Sequence, residues 1–111
     1  MIKNFFFQAK DAKVTVMPNK IVRKVLAYHK QLMIVENTFP EAGIVADLHK
    51  HPHEQITYIV SGEFEFTIGD QKHIVKAGDS MYKEPNILHG AVCIKPGVLI
   101  DCFTPHREDY L

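Results

Sequence analysis

The chain has 111 residues, of which 46% are hydrophobic and 23% charged, so we expect one packed domain over residues 1–111. Thirteen basic and 13 acidic side chains cancel to zero formal net charge. This balance argues against a nucleic-acid partner, because a polyanion needs a positive surface. No apolar run reaches the ~18 residues that cross a bilayer, and no secretory signal is apparent, so we expect no membrane partner. With two cysteines, Cys93 and Cys102, a reduced, cytoplasmic protein is expected.

Short β-rich stretches bounded by turn residues follow one another along the chain, and few segments have the pattern of a long amphipathic helix. Strands are predicted at residues 21–28, 32–39, 56–60, 63–68, 73–75, 91–94 and 98–103. Turns are predicted at residues 69–71 and 77–79, and Pro96-Gly97 favours a type II turn. Strands at this spacing indicate an all-β sandwich or barrel.

Histidine is the unusual feature of the composition, since three of the seven lie within five residues. On a continuous strand without a bulge, His49, His51, His53 and Gln55 would share one face. Converging imidazoles repel one another once protonated, whereas a divalent metal ion binds them in the neutral form. The cluster therefore favours a metal site over a chance grouping of structural histidines.

Two spaced motifs make the chain resemble the cupin superfamily. The first, about residues 43–62, contains Gly43, His49, His51, Gln55 and Gly62. The second, about residues 78–93, contains Gly78, Pro85, Asn86, His89 and Cys93. The resemblance implies a single-domain, RmlC-like jelly-roll barrel, also called a double-stranded β-helix. It also implies one divalent transition metal ion (Zn, Ni, Mn or Fe) held by His49, His51, Gln55 and His89.

The chain departs from the cupin pattern at two informative positions. Gln55 stands where the family usually has a glutamate ligand, so the site would be one charge more positive, a better Lewis acid and a less natural redox centre. The alternative is that Glu54 is the ligand, although it falls on the opposite strand face. Asn86 replaces a glycine, and asparagine is the residue that best tolerates positive φ after glycine. We expect His53 to orient a ligand or to lie at an interface.

Residues 49–55, 58–68 and 101–111, with a further stretch at 23–29, are similar to the KdgF-type cupins of pectin degradation. This resemblance implies a metal-dependent, non-redox isomerase or tautomerase. Its small anionic sugar-acid substrates would be 4,5-unsaturated monouronates from pectin or alginate, converted to the linear 4-deoxy-5-keto form. A cupin dioxygenase or cyclase, and a non-catalytic sugar- or metal-binding cupin, are the alternatives.

Three residues near the C-terminus are candidates for catalysis. Asp101 interrupts an apolar run, so it must be paired, ligating or functional. A strand-end aspartate bonded to a backbone N–H is the alternative, and the resemblance favours a proton shuttle. Phe103 shares its strand face and would either stack on the sugar or fill the core. Arg107 would bind the substrate carboxylate, or form a surface ion pair with Glu108 or Asp109.

Analogy with other small cupins predicts a homodimer. The segment Met1–Phe7 is apolar enough to dock on a partner.

Overall fold

The structure, a computed structural model, describes residues 4–111. Ten strands account for most of it, and the only helices among these residues are two short 3₁₀ turns, Ala9–Asp11 and Glu108–Tyr110. The strands are β1 (Lys13–Val16), β2 (Val22–His29), β3 (Leu32–Phe39), β4 (Val45–His49), β5 (Glu54–Ile59), β6 (Glu63–Ile68), β7 (Gln71–Lys76), β8 (Ser80–Lys83), β9 (His89–Lys95) and β10 (Gly97–Thr104). The prediction of an all-β fold is confirmed.

The strands form two antiparallel sheets, one of six strands in the order β1-β2-β3-β10-β5-β8 and one of four in the order β4-β9-β6-β7. Apolar side chains from both sheets make the main core; Phe39 and Leu99 come from the larger sheet, and Phe64 and Phe66 from the smaller. Because sequence-distant strands pair at β3-β10-β5 and at β4-β9, residues from both motifs meet in one interior.

Alternation along β5 and β10 decides which side chains enter that interior. In β5 the buried positions are Gln55, Thr57 and Ile59. In β10 they are Leu99, Asp101 and Phe103. Asp101 and Phe103 therefore share the inward face, as the sequence alternation predicts.

Three strands were not among the predicted elements: β1, β4 and β8. Strands β1 and β4 are exposed at nearly every position. Strand β4 carries no apolar alternation, and β1 alternates polar and apolar residues over only four positions, Lys13–Val16, too few to predict a strand. Strand β8 has four residues, too few for a period to be recognised.

The prediction of a type II turn at Pro96-Gly97 is wrong. Such a turn needs a positive φ at its third position, and the positive-φ glycines in the described chain are Gly43, Gly62, Gly69 and Gly78. A Cβ on Gly97 would lie 2.1 Å from the carbonyl oxygen of Ser61. Close approach of two backbone segments, rather than turn geometry, is therefore the reason for glycine at this position.

The N-terminal segment predicted to dock on a partner, Met1–Phe7, lies partly outside the described residues, which begin at Asn4. Within it, Phe5 and Phe6 are largely exposed. The homodimer stays a prediction. None of the helices in residues 4–111 has the length and apolar character needed to cross a membrane.

Candidate metal centre

Three histidines from the two motifs converge inside the barrel. His49 ends β4 and lies directly opposite His89, the first residue of β9, with ring centroids 4.3 Å apart. His51 approaches from the β4–β5 loop, 4.9 Å from the ring of His89. One ring nitrogen of each histidine lies within 4.8 Å of the other two, an arrangement that could hold a metal ion.

The expectation that His49, His51, His53 and Gln55 share one continuous strand face is wrong. Strand β4 ends at His49 and β5 begins at Glu54, so His51 and His53 lie in a loop. Pro52 has no N–H for a strand ladder, and the carbonyl of His51 accepts instead a hydrogen bond from the backbone of Asn86, 2.8 Å away. Asn86 adopts a φ of 63°, which confirms the sequence-based expectation for this position.

Backbone carbonyls fix the orientation of each histidine ring. His49 donates from Nδ1 to Asp47 at 2.7 Å, His51 to His53 at 3.0 Å, and His89 to Ile87 at 2.9 Å. With the proton on Nδ1, every Nε2 keeps a free lone pair. Nε2 of His89 is buried and has no hydrogen-bond partner among the described residues. The three rings are thus pre-set to present Nε2 as a metal ligand.

Gln55 completes the predicted donor set. Its side chain is buried, and Oε1 lies 2.9 Å from Nε2 of His51. With the His51 proton on Nδ1, both of these atoms are acceptors, and a shared cation would satisfy both. Glu54, the alternative ligand, is exposed and accepts a hydrogen bond from the Tyr82 hydroxyl at 2.5 Å. The donor set of three imidazoles and one amide oxygen therefore fits a borderline divalent metal ion.

The electrostatic surroundings favour neutral imidazoles. Burial, supported by the positive charges of Lys83 and the neighbouring histidines, lowers the pKa of His89 to about 4. Burial and the charge of Arg107 lower the pKa of His51 and of His53. His51 and His89 are accordingly unprotonated at neutral pH, the form that binds a metal ion.

Behind Gln55 lies a buried polar network centred on Asp101. Asp101 accepts hydrogen bonds from the side chains of Asn37 at 2.8 Å, Gln55 at 2.8 Å and Thr57 at 2.5 Å. Thr57 in turn accepts a hydrogen bond from Nζ of Lys83 at 2.7 Å. The carboxylate is 6% exposed and the lysine 2% exposed. Asp101 is therefore satisfied by side chains of neighbouring strands, and not by the backbone N–H of the alternative interpretation.

A cavity of about 420 Å³ opens beside the histidines. Its walls include His49, Gln55, His89, Asp101, Phe103 and Arg107. Phe103 is 2% exposed, and its ring lies 5.7 Å from that of His51. Phe103 therefore fills the core, as one interpretation predicted, and also borders the cavity. Except for His51, which lies directly behind the wall, every predicted ligand and catalytic residue lines this one space.

Arg107 is largely buried at the edge of the cavity, with 11% of its side chain exposed. Its Nε and Nη2 donate to the two carboxylate oxygens of Asp109 at 3.0 and 2.8 Å, so the ion pair of the alternative interpretation is present. Nη1 is buried and has no partner among the described residues. The two N–H groups of Nη1 are thus left for another acceptor.

Sequence reasoning missed several residues of the site. Asn37 and Thr57 donate hydrogen bonds to Asp101, and Lys83 donates one to Thr57. The guanidinium carbons of Arg23 and Arg107 lie 3.6 and 4.3 Å from the centre of the Tyr110 ring. The sequence indicates Thr57 weakly, because it lies two residues after Gln55 and therefore on the same face of β5. A buried lysine has no recognisable pattern.

Comparison with known proteins agrees with this geometry. The cupin-domain family profile matches residues 35–103, more than half of the chain. The chain is a cupin. It is 41% identical over 93 residues to the pectin degradation protein KdgF of Dickeya dadantii, covering 82% of this chain and 84% of that protein.

Two solved structures share this cupin fold across nearly the whole chain. One is an RmlC-like cupin from Shewanella frigidimarina, with a TM-score of 0.91 and 33% identity, covering 98% of this chain and 97% of that one. The other is KdgF from a Halomonas species, with a TM-score of 0.89 and 33% identity, covering 98% and 100%. The RmlC-like jelly-roll predicted from the motifs is confirmed.

Proposed function

We propose that this cupin acts in pectin or alginate breakdown, by converting 4,5-unsaturated monouronates to linear 4-deoxy-5-keto-uronates with the help of one divalent metal ion. The observation that carries the proposal is the convergence of His49, His51, His89 and Gln55 beside a cavity that Asp101 and Arg107 also line. The identity to KdgF over most of both chains supports the choice of substrate class.

The proposed conversion is an isomerisation in which no atom is gained or lost. The hydroxyl proton at C1 leaves, the bond between C1 and the ring oxygen breaks, and C1 becomes an aldehyde. The resulting enolate at C5 takes a proton at C4 and becomes a ketone. No electron acceptor is needed, which suits a donor set whose fourth ligand is a neutral amide.

Each residue has a part in this reaction. The metal ion, when bound, would supply Lewis-acid polarisation of a sugar oxygen. Asp101 moves the proton between oxygen and carbon as a general acid and base. Arg107 binds the uronate carboxylate through Nη1, which Asp109 leaves free. Phe103 shapes the wall against which the sugar ring lies.

The test follows the absorbance of the conjugated C4–C5 double bond during incubation with an unsaturated monouronate. We expect rapid loss of absorbance with metal-loaded protein, little loss after treatment with a chelator, and recovery after the metal is restored. Equal rates for the loaded and the chelated protein would contradict the proposal. Oxygen uptake without uronate turnover would favour a dioxygenase, and tight sugar binding without turnover would favour a binding module.

The cytoplasmic location stays a prediction.

A further inference from the structure

Lys83 is the most deeply buried charged residue described, with 2% of its surface exposed. It lies in β8 directly opposite Gln55 of β5. Its Nζ donates to the Thr57 hydroxyl at 2.7 Å and lies 4.9 Å from the centre of the Phe66 ring. A buried ammonium group is costly unless it is paired, so this lysine needs a specific explanation. None of the roles assigned above uses it.

Lys83 determines the direction of the hydrogen bonds around Thr57. The ammonium group can only donate, so the Thr57 oxygen accepts from Lys83. Thr57 also lies 3.3 Å from the Nε2 of Gln55, another donor. The single hydroxyl proton of Thr57 is therefore left to point at Oδ1 of Asp101, 2.5 Å away.

Asp101 in turn determines the orientation of the Gln55 amide. An ionised carboxylate can only accept hydrogen bonds, and the NH₂ group of Gln55 donates to it at 2.8 Å. Because the two ends of an amide point in opposite directions, the carbonyl oxygen of Gln55 faces His51. The positive charge of Lys83, one hydroxyl away, compensates the negative charge of the buried Asp101.

We propose that Lys83 is a positioning residue for the metal centre: through Thr57 and Asp101, it holds the amide of Gln55 with its oxygen toward the three histidines. The inference rests on the metal set proposed above. It adds to that set a buried lysine outside the ligand shell. Groups that orient a ligand in this way are worth about 10- to 100-fold in metal affinity.

Two substitutions break this chain of hydrogen bonds at different links. Lys83→Met keeps the length of the side chain but removes the charge and the donors. Thr57→Val keeps the volume but removes the hydroxyl. We expect each to weaken binding of Zn²⁺ and of Ni²⁺ about 10- to 100-fold, measured by competition with a chromophoric chelator. The double variant should be little worse than either single one, since both interrupt the same connection.

Conservative variants separate positioning from packing. Thr57→Ser loses a methyl group but keeps the hydroxyl, so its metal affinity should stay close to that of the parent. If Thr57 acts only by filling space, Thr57→Ser should instead be worse than Thr57→Val. Lys95→Met is the matched control for loss of a lysine, because Lys95 is exposed and its nearest carboxylate, on Glu63, is 3.9 Å away.

Metal affinity is measured without any sugar, so this test is independent of uronate turnover. Circular dichroism and thermal melting of the metal-free variants check that each is folded. If Lys83→Met does not fold, the Thr57→Val and Thr57→Ser pair decides the question alone. Folded Lys83→Met or Thr57→Val protein with the metal affinity of the parent would overturn the proposal.

Discussion

Gln55 links the metal site to the rest of the interior, because its amide has one end toward the histidines and the other bonded to Asp101. A carboxylate at this position would repel Asp101, which can only accept hydrogen bonds. The neutral amide thus lets a negative charge stay directly behind the metal site. With a metal ion bound to Oε1 of Gln55, a Lewis acid and the Asp101 carboxylate would lie at opposite ends of one amide.

Replacement of Asp101 by asparagine should lower kcat about 100-fold or more, because the residue proposed to move the proton is lost. The measurement is uronate turnover at saturating metal, so that any weaker metal binding is compensated. Asp70→Asn, at an exposed turn position, is the control and should turn over like the parent. Parental kcat in the Asp101→Asn variant would refute the assigned role.

Replacement of Arg107 by lysine keeps the charge but loses the planar arrangement of donors. We expect KM for the unsaturated uronate to rise about 10-fold or more, since a hydrogen bond to a charged group contributes roughly 1.5–3 kcal/mol. The change in kcat should be smaller, because the contact exists in both the ground and transition states. An unchanged KM would show that the carboxylate binds elsewhere. Lys24→Met, in β2, is the control for loss of a positive charge elsewhere on the barrel.

At the scale of elements, the long strands could be predicted from the sequence and the metal loop could not. Strands β3, β6 and β10 have runs of Val, Ile, Leu and Phe with one buried face, and they begin and end within a residue or so of the predicted positions. The histidine spacing predicts one strand, because alternating positions fit a strand of period two as well as they fit a loop. The break at Pro52 depends on the contact of the loop with Asn86, a tertiary effect that a local pattern does not contain.

Asn86 supports this loop, and its substitution tests that contact. At a φ of 63°, a β-branched residue costs roughly 1–2 kcal/mol, so Asn86→Val should lower the melting temperature by about 4–10 °C. Asn86→Gly should melt close to the parent, because glycine adopts this φ without strain. Differential scanning calorimetry measures both variants. Equal melting temperatures would contradict the account of the loop.

At the scale of the whole molecule, the site combines residues far apart in sequence. Asn37 is 64 residues from Asp101, and Thr57 is 44 residues from it. The motif spacing could predict which histidines meet inside the barrel, because the family resemblance covers them. It could not identify Lys83, since the pairing of β5 with β8 alone brings that lysine under Gln55.

The buried histidines should make the metal-free protein sensitive to acid. The pKa of His89 in the folded chain is about 4, below its ordinary value near 6.5. Between these values the unfolded chain binds a proton that the folded chain does not. The contribution of His89 to the free energy of unfolding is therefore complete above about pH 6.5 and is lost as the pH falls toward 4. His51 contributes in the same direction.

Melting of chelator-treated protein as a function of pH measures this effect. His89→Gln should show a shallower loss of melting temperature over the same window. His73→Gln, at an exposed position in β7, should follow the parent curve. A parent whose melting temperature rises on acidification would contradict the assignment of neutral buried histidines.

The central claim is that one divalent metal ion is held jointly by His49, His51, His89 and Gln55. Anomalous diffraction from crystals of protein saturated with Zn²⁺ or Ni²⁺ tests it most directly. We predict one dominant peak inside the barrel, about 2.0–2.2 Å from Nε2 of each histidine and from Oε1 of Gln55. The claim would be refuted by a peak elsewhere, or by no bound metal in fully folded protein at saturating concentration.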